Sequence, residues 1–318
     1  MAVTDAEFGT LPAPLFQRLT VIGAGLIGSS IVRVARQRKI AREVIVSDHS
    51  PSVCERVREL QIADHVIEDA ALAVAGSDLV ILCVPVGANA AVGSAIASSL
   101  LDGAIISDVG SVKSAVIDAL APILPPNVHL VPAHPVAGTE YSGPDSGFST
   151  LFRNRWCIVT PPEAAIPDAV VRIQDFWKAC GANVETMSAA HHDLVLAITS
   201  HVPHLIAYNI VGTAADLEEV TQSEVIKFSA GGFRDFTRIA ASDPTMWRDI
   251  FLNNKDAVLE MLGRFNEDLA ALQRMIRWGD GQGLFELFTR TRAIRRSIIE
   301  QGQETVAPDF GRGGSSSN

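Results

Sequence analysis

Cysteine is scarce in this chain, and what there is lies scattered: Cys54, Cys83, Cys157 and Cys180 form no CxxC pair. That argues against a zinc site or a disulfide-stapled scaffold and leaves reduced, buried thiols as the reading. Positive charge is also short. With 26 Lys and Arg against 36 Asp and Glu the formal net charge is −10, so no nucleic-acid partner and no attraction to an anionic membrane surface is expected. An anionic ligand must instead meet a local cationic site. The opening MAVTDAEFGTLPAPLF lacks the basic stretch and apolar core of a signal peptide, and no run of about 18 uncharged apolar residues follows. The expectation is a cytoplasmic protein.

What is present suits a compact enzyme. At 318 residues, 47% hydrophobic and 19% charged, the chain exceeds what one core usually organises, so two domains are expected. From 18 to 187 short β-branched runs alternate with amphipathic segments, the pattern of βαβ units and a mostly parallel sheet. Candidate strands cover 19–22, 43–47, 79–84, 104–108 and 129–133, and ligands in such sheets bind beyond the strands' carboxyl ends. After Met187 the pattern turns helical: Ser188 reads as the N-cap of a helix to about Thr213, and Asp243-Pro244 starts another. The fold class is therefore α/β, with an N-terminal mostly parallel sheet domain followed by an all-α domain. The expected divisions are an N-terminal extension 1–17, a dinucleotide-binding domain 18–187, a helical domain 188–302 and a flexible tail 303–318.

The run TVIGAGLIGSSIVRVARQ sets Gly23, Gly25 and Gly28 as GxGxxG between a strand and a helix. The first glycine suits a tight turn, the second close approach of a pyrophosphate, and the third close helix packing, with free amides and positive dipole at the helix start. Leu26 and Ile27, in that first turn, join the expected cofactor contacts. Asp48 ends the next strand, 20 residues beyond Gly28, where a carboxylate accepts ribose hydroxyls and repels a 2′-phosphate. NAD is expected over NADP, although Arg42 and His49 lie nearby in sequence. Val84 and Pro85, in the strand-ending peptide CVPVG, and Asp108 complete the expected cofactor set.

Four peptides gather polar groups in an otherwise apolar chain: DVGSVK (108–113), AHPVAGTE (133–140), SHVPH (200–204) and GGFRDFTRIAASDPTMWRDI (231–250). In this order after the GxGxxG, they strongly resemble the prephenate and arogenate dehydrogenases of tyrosine biosynthesis, over roughly 18–299. The resemblance implies a Rossmann-type domain, NAD, a homodimer built through the helices after Ser188, and oxidative decarboxylation of a small cyclohexadienyl acid. In that reaction hydride leaves the ring carbon bearing the 4-hydroxyl, and the ring carboxylate departs as CO2. A base must take the hydroxyl proton.

By that resemblance His134 is the base and Ser111 bridges it to the substrate hydroxyl, though Ser111 is also placed to N-cap the helix starting near Lys113. Arg238 grips the side-chain carboxylate with its planar guanidinium; an ion pair with Asp235 or Glu140 is the alternative. His201 and His204, three apart on a helix that Pro203 bends, wall the pocket or pack between helices. Thr139, Glu140 and Asp235 fall among substrate contacts, the two acids as a gate at the pocket mouth or as a solvated pair. No third ligand at metal spacing accompanies the histidines, so no metal is expected. His49, His65, His191 and His192 are expected at the surface. No regulatory domain is expected after Gly302 and no chorismate mutase segment before Arg18. Two rivals stay open: a β-hydroxyacid-type dehydrogenase using Lys227 or Lys255, and a non-catalytic NAD-binding protein.

Overall fold

Six strands, most apolar in the central Leu79–Leu82, form one parallel sheet in the computed structural model, which describes residues 10–139, 141–221 and 230–300. They are β1 (Phe16–Ile22), β2 (Ala41–Ser47), β3 (His65–Val66), β4 (Leu79–Leu82), β5 (Ile105–Asp108) and β6 (His129–Leu130), in the order β3-β2-β1-β4-β5-β6. Every pairing in this sheet is parallel. A parallel sheet covered on both faces needs apolar side chains on both, and the alternation in β4 shows it. Leu79 and Ile81 enter one core with Leu19, Ile31 and Trp177; Val80 and Leu82 enter the other with Ile106, Val116 and Trp247.

Three further strands form a second sheet: β7 (Ala133–Pro135), antiparallel to β8 (Trp156–Val159), which runs parallel to β9 (Asn183–Thr186). This corrects the single strand expected over 129–133. Val131 makes the last amide bond to the main sheet, on the Ile106 carbonyl at 2.9 Å. Pro132 has no N–H to continue the ladder, and its carbonyl instead accepts from Thr160 at 2.9 Å. The proline thus sends the chain from one sheet to the next and puts His134 within a strand.

The helices beyond 188 follow the expected start signals more closely than the expected ends. Ser188 caps Ala189–Leu196 by accepting from the His191 amide, and Asp243 caps Pro244–Asn253 by accepting from the Met246 amide. Between Leu196 and the helix Val202–Thr221 lies a π-helical segment, Ala197–His201. Pro203 cannot donate to the Thr199 carbonyl one turn back, and the widened turn absorbs that missing bond. Asn254 interrupts the C-terminal helical run and separates Pro244–Asn253 from Lys255–Trp278. The chain divides into two compact units: 8–259, which holds both sheets and the helices up to Asn253, and a unit that is helical over 260–300, apart from the turn near Gly279.

Candidate active site

The nucleotide end is built by contacts that leave no room for side chains. Gly23 has φ +97°, and a Cβ there would lie 2.3 Å from the Cys83 carbonyl oxygen; one on Gly28 would lie 1.9 Å from the Gly23 oxygen. The β1 turn, the β4 end and the start of the helix Leu26–Arg38 therefore meet backbone to backbone. Beside Gly25 there is open space, in front of a helix start whose amides have no intrahelical partner, which is the geometry a pyrophosphate fits. Leu26 is buried in that first turn and Ile27 half-buried, while Val84 is half-buried and Pro85 exposed after β4.

Asp48 is held at the β2 carboxyl end by two amides, Ala24 on Oδ2 and Ser50 on Oδ1, both at 2.9 Å. Each oxygen keeps capacity to accept from a ribose. Arg42 lies six residues earlier, near the amino end of β2, about 20 Å away along an extended strand. It is at the wrong end to pair a 2′-phosphate. His49 lies 3.3 Å from Asp48 but is almost fully exposed. The residues at this end fit NAD.

The chemical end gathers around His134, which is 7% exposed. Its Nδ1 lies 2.8 Å from Nε2 of His192, and His192 Nδ1 lies 2.9 Å from Oδ1 of Asp193. The Asp193 carboxylate also accepts from the Lys113 and Ser114 amides at 2.8 and 2.9 Å. It thereby caps the helix Ser114–Leu120 from a distant part of the chain, the role considered for Ser111. Burial alone would raise the Asp193 pKa; the hydrogen bonds from His192, Lys113 and Ser114 outweigh it and hold the carboxyl below its ordinary value. His134 is pushed well below the usual histidine value by burial first and then by His192, Lys113 and His201. A neutral imidazole at neutral pH is the form that can accept a proton.

Beneath His134 lies a fully buried ion pair. Lys113 Nζ donates to Asp108 Oδ2 at 2.5 Å and to the Ala133 carbonyl at 2.9 Å, one residue before His134. The Gly110 amide also donates to Asp108 Oδ2, at 2.7 Å. Burial lowers the Lys113 pKa and raises that of Asp108, each partner opposing the shift of the other. Asp108, expected to touch the cofactor, has an enclosed carboxylate that, through Lys113, ties the β5 end to the strand bearing His134.

On the helical side, His201 is buried with Nδ1 3.0 Å from the Asn254 side chain, which also donates to the Asp193 carbonyl at 2.8 Å. Burial, then the neighbouring His192, lowers the His201 pKa to about 4, while the Ser111 backbone works the other way. Ser111 is thus near His201, half-buried, and His134 hydrogen-bonds to His192 in its place. His204 stacks on Trp247 with ring centres 3.7 Å apart. Burial lowers its pKa, and Arg238 is near enough to add to that lowering. His201, His204 and Arg238 are therefore brought together around Trp247 and Asn254. Thr139 is exposed and accepts from the Tyr141 amide, Asp235 is exposed on the helix Gly231–Thr237, and Glu140 lies outside the described residues.

Sequence reasoning missed His192, Asp193, Lys113, Asn254 and Trp247. His192 is the clearest correction: expected at the surface, it is fully buried, whereas His191, His49 and His65 are exposed. The overlooked signal was the helix face. Counting from the Ser188 cap, His192, Leu196 and Ala197 fall on one inward stripe that continues to His201, and a histidine on such a stripe needs a partner. Of the lysines a β-hydroxyacid-type enzyme would use, Lys255 is exposed and Lys227 lies outside the described residues.

Two family models match the chain: prephenate dehydrogenase, nucleotide-binding domain, over 31–186, and prephenate dehydrogenase, dimerization domain, over 188–290. The cyclohexadienyl dehydrogenase of Zymomonas mobilis is 42% identical over 89% of this chain and 97% of its own length. The prephenate dehydrogenase of Bacillus subtilis is 31% identical over 92% of this chain and 78% of its own. Among solved structures, the prephenate dehydrogenase of Aquifex aeolicus in complex with hydroxyphenyl propionate and NAD+ superposes with a TM-score of 0.83 at 30% identity, covering 89% of this chain and 98% of that one. Synechocystis arogenate dehydrogenase superposes with a TM-score of 0.75 at 25% identity, covering 89% of this chain and all of that one.

Proposed function

The chain belongs to the prephenate dehydrogenase family, and on that footing we propose how its own residues carry the NAD-dependent oxidative decarboxylation of prephenate, arogenate or both. The observation that carries the assignment of roles is a buried His134 whose strand is tied through Lys113 to Asp108 at the carboxyl end of β5, the end of the parallel sheet that also bears the GxGxxG turn. His134 accepts the proton of the ring hydroxyl, and Ser111, in the loop beyond β5, bridges it to that hydroxyl. Bound NAD supplies the hydride acceptor. Gly23, Gly25, Gly28, Leu26, Ile27 and Asp48 would hold it, and Val84 and Pro85 would line its nicotinamide half.

Arg238 grips the side-chain carboxylate. Clamping the departing ring carboxylate would stabilise the ground state relative to CO2 loss and oppose the chemistry. His201 and His204 wall the pocket, with Thr139 and Asp235 toward its mouth. The test is NADH formation with prephenate and arogenate in parallel, each with NAD and with NADP. Turnover with at least one acid and NAD is expected, and silence with both despite NAD binding would overturn the function. In the same assay Arg238→Ala should raise KM for the acid about 10- to 100-fold, the worth of a charged hydrogen-bond pair; an unchanged KM removes Arg238 from substrate binding.

The reading includes a homodimer. The segment Ala189–Leu217 is long and apolar enough to cross a membrane by length and composition, with mean hydropathy 1.5 and only 28% of its most apolar window buried. It also carries His192, Asp193, His201 and His204, which tie it to a water-soluble chemistry. Its exposed Ile198, Ile210, Val211 and Leu217 form an apolar surface that a second copy covers. In the unit from Glu260 onward Ile276, Trp278, Phe285 and Phe288 are likewise exposed. Sedimentation should give twice the 33.9 kDa chain mass; a monomer at micromolar concentration ends the dimer reading. Its unpaired thiols, Cys54, Cys157 and Cys180 buried and Cys83 half-buried, suit a reducing cytoplasm.

A further inference from the structure

We propose that His192 is a positioning residue for this reaction: backed by Asp193, it fixes the tautomer of His134 and shares the charge that His134 acquires during turnover. The inference rests on the dehydrogenase reading above. It follows from the order of donors and acceptors along the chain His134, His192, Asp193.

An ionised carboxylate only accepts. Asp193 Oδ1 therefore takes a proton from Nδ1 of His192, which leaves His192 Nε2 as a bare acceptor. His134 Nδ1, 2.8 Å from that nitrogen, must then be the donor. The consequence is that the other ring nitrogen of His134, Nε2, carries the lone pair. Asp193 is held against rotation by the Lys113 and Ser114 amides, and His192 is fully buried, so water does not compete for either link. A histidine whose orientation and tautomer are set through its far nitrogen is a better base than a freely flipping one.

The charge balance says what the arrangement is for. The hydroxyl O–H bond breaks and its proton goes to His134 Nε2, while the ring carbon becomes a carbonyl carbon as its hydride leaves to the nicotinamide. The bond to the ring carboxylate then breaks, CO2 departs, and its electron pair enters the ring. The resulting phenolate oxygen takes the proton back from His134. No proton is released overall, so the site needs a place to hold a positive charge briefly rather than an exit to solvent. The array fits that need, because it ends on a buried carboxylate tied to backbone amides.

The other groups facing His134 leave Asp193 as the balancing charge. Lys113 is neutralised by Asp108. His201 is neutral, its pKa near 4. Cys157, on β8, has its thiol pushed up by burial.

His192→Leu and His192→Gln test the inference. The leucine variant should lose about 10²-fold in kcat, with KM for the acid and the NAD dissociation constant changed by less than about threefold. Glutamine offers an oxygen to His134 and should recover part of the loss. Independently of activity, long-range proton–nitrogen spectra of histidine-labelled wild type should show the His134 proton on Nδ1. A proton on Nε2, or a leucine variant with undiminished kcat, overturns the proposal. Should the leucine variant not fold, the wild-type spectrum and the glutamine variant decide. Wild type without turnover would defeat the dehydrogenase reading, while the spectrum still tests the tautomer.

Discussion

His134→Asn is expected to lower kcat about 10³-fold, within the range removed with a general base, while leaving NAD binding intact. Asparagine is close in size and can still bond to His192, so the strand β7 and the Lys113 contact at Ala133 should persist. What it cannot do is accept a proton at the position of His134 Nε2. In the wild type the base must be unprotonated to act, and burial holds its pKa well below 6.5. Lowering the pH through 6.5 should therefore leave kcat/KM almost unchanged, with the fall appearing only at more acid pH as His134 takes its proton. A single-turnover measurement with saturating NAD separates this from slow release. If His134→Asn kept a tenth or more of wild-type kcat, the proton would have to go elsewhere and His134 would be a structural residue.

Lys113→Met should produce the largest loss of stability, about 3–5 kcal/mol near neutral pH. Methionine keeps most of the length of the side chain but leaves the Asp108 carboxylate buried without its cation. Its Oδ2 keeps the Gly110 amide, and its Oδ1 has no partner even in the wild type. The sign with pH follows. Burial already holds the Asp108 pKa above its unfolded value, and removing Lys113 raises it further. A carboxyl raised in the folded state favours folding while protonated and opposes it as pH rises past the unfolded value. The variant should thus regain stability on acidification, and the double variant with Asp108→Asn should recover much of it at neutral pH. Urea unfolding at two pH values measures both. Loss that stays constant from pH 7 to the acid range would mean the defect is packing rather than an uncompensated charge.

The two predictions fall on opposite sides of what could be read in advance. The nucleotide half was legible because its requirements are local. A tight turn, a close helix crossing and an acid at a strand end leave Gly23, Gly28 and Asp48 in a spacing that survives as text. Helix starts were legible for the same reason, since the Ser188 and Asp243 caps act within three residues. Helix ends were less so. The π turn before Pro203 and the break at Asn254 depend on what the freed backbone and side chains meet across the fold.

His134 could be named from its peptide, but not the company it keeps. His192 sits 58 residues away and Asp193 caps a helix 79 residues before it. No periodicity relates such positions, and a histidine pair at a helix start reads as solvated until the opposite wall is known. Lys113 stood in a quoted motif without a role, because a lysine is ordinarily a surface residue and only the enclosure by Asp108 and Ala133 makes it internal.

By itself, then, the sequence determined the α/β class, the cofactor end and the family, all written in short-range patterns of turn, cap and strand. Only the tertiary structure decided which way His134 faces, what holds its tautomer and why its pKa is low. Those depend on desolvation and on hydrogen bonds between distant segments, and such contacts exist only once Pro132 has turned the chain from one sheet into the next.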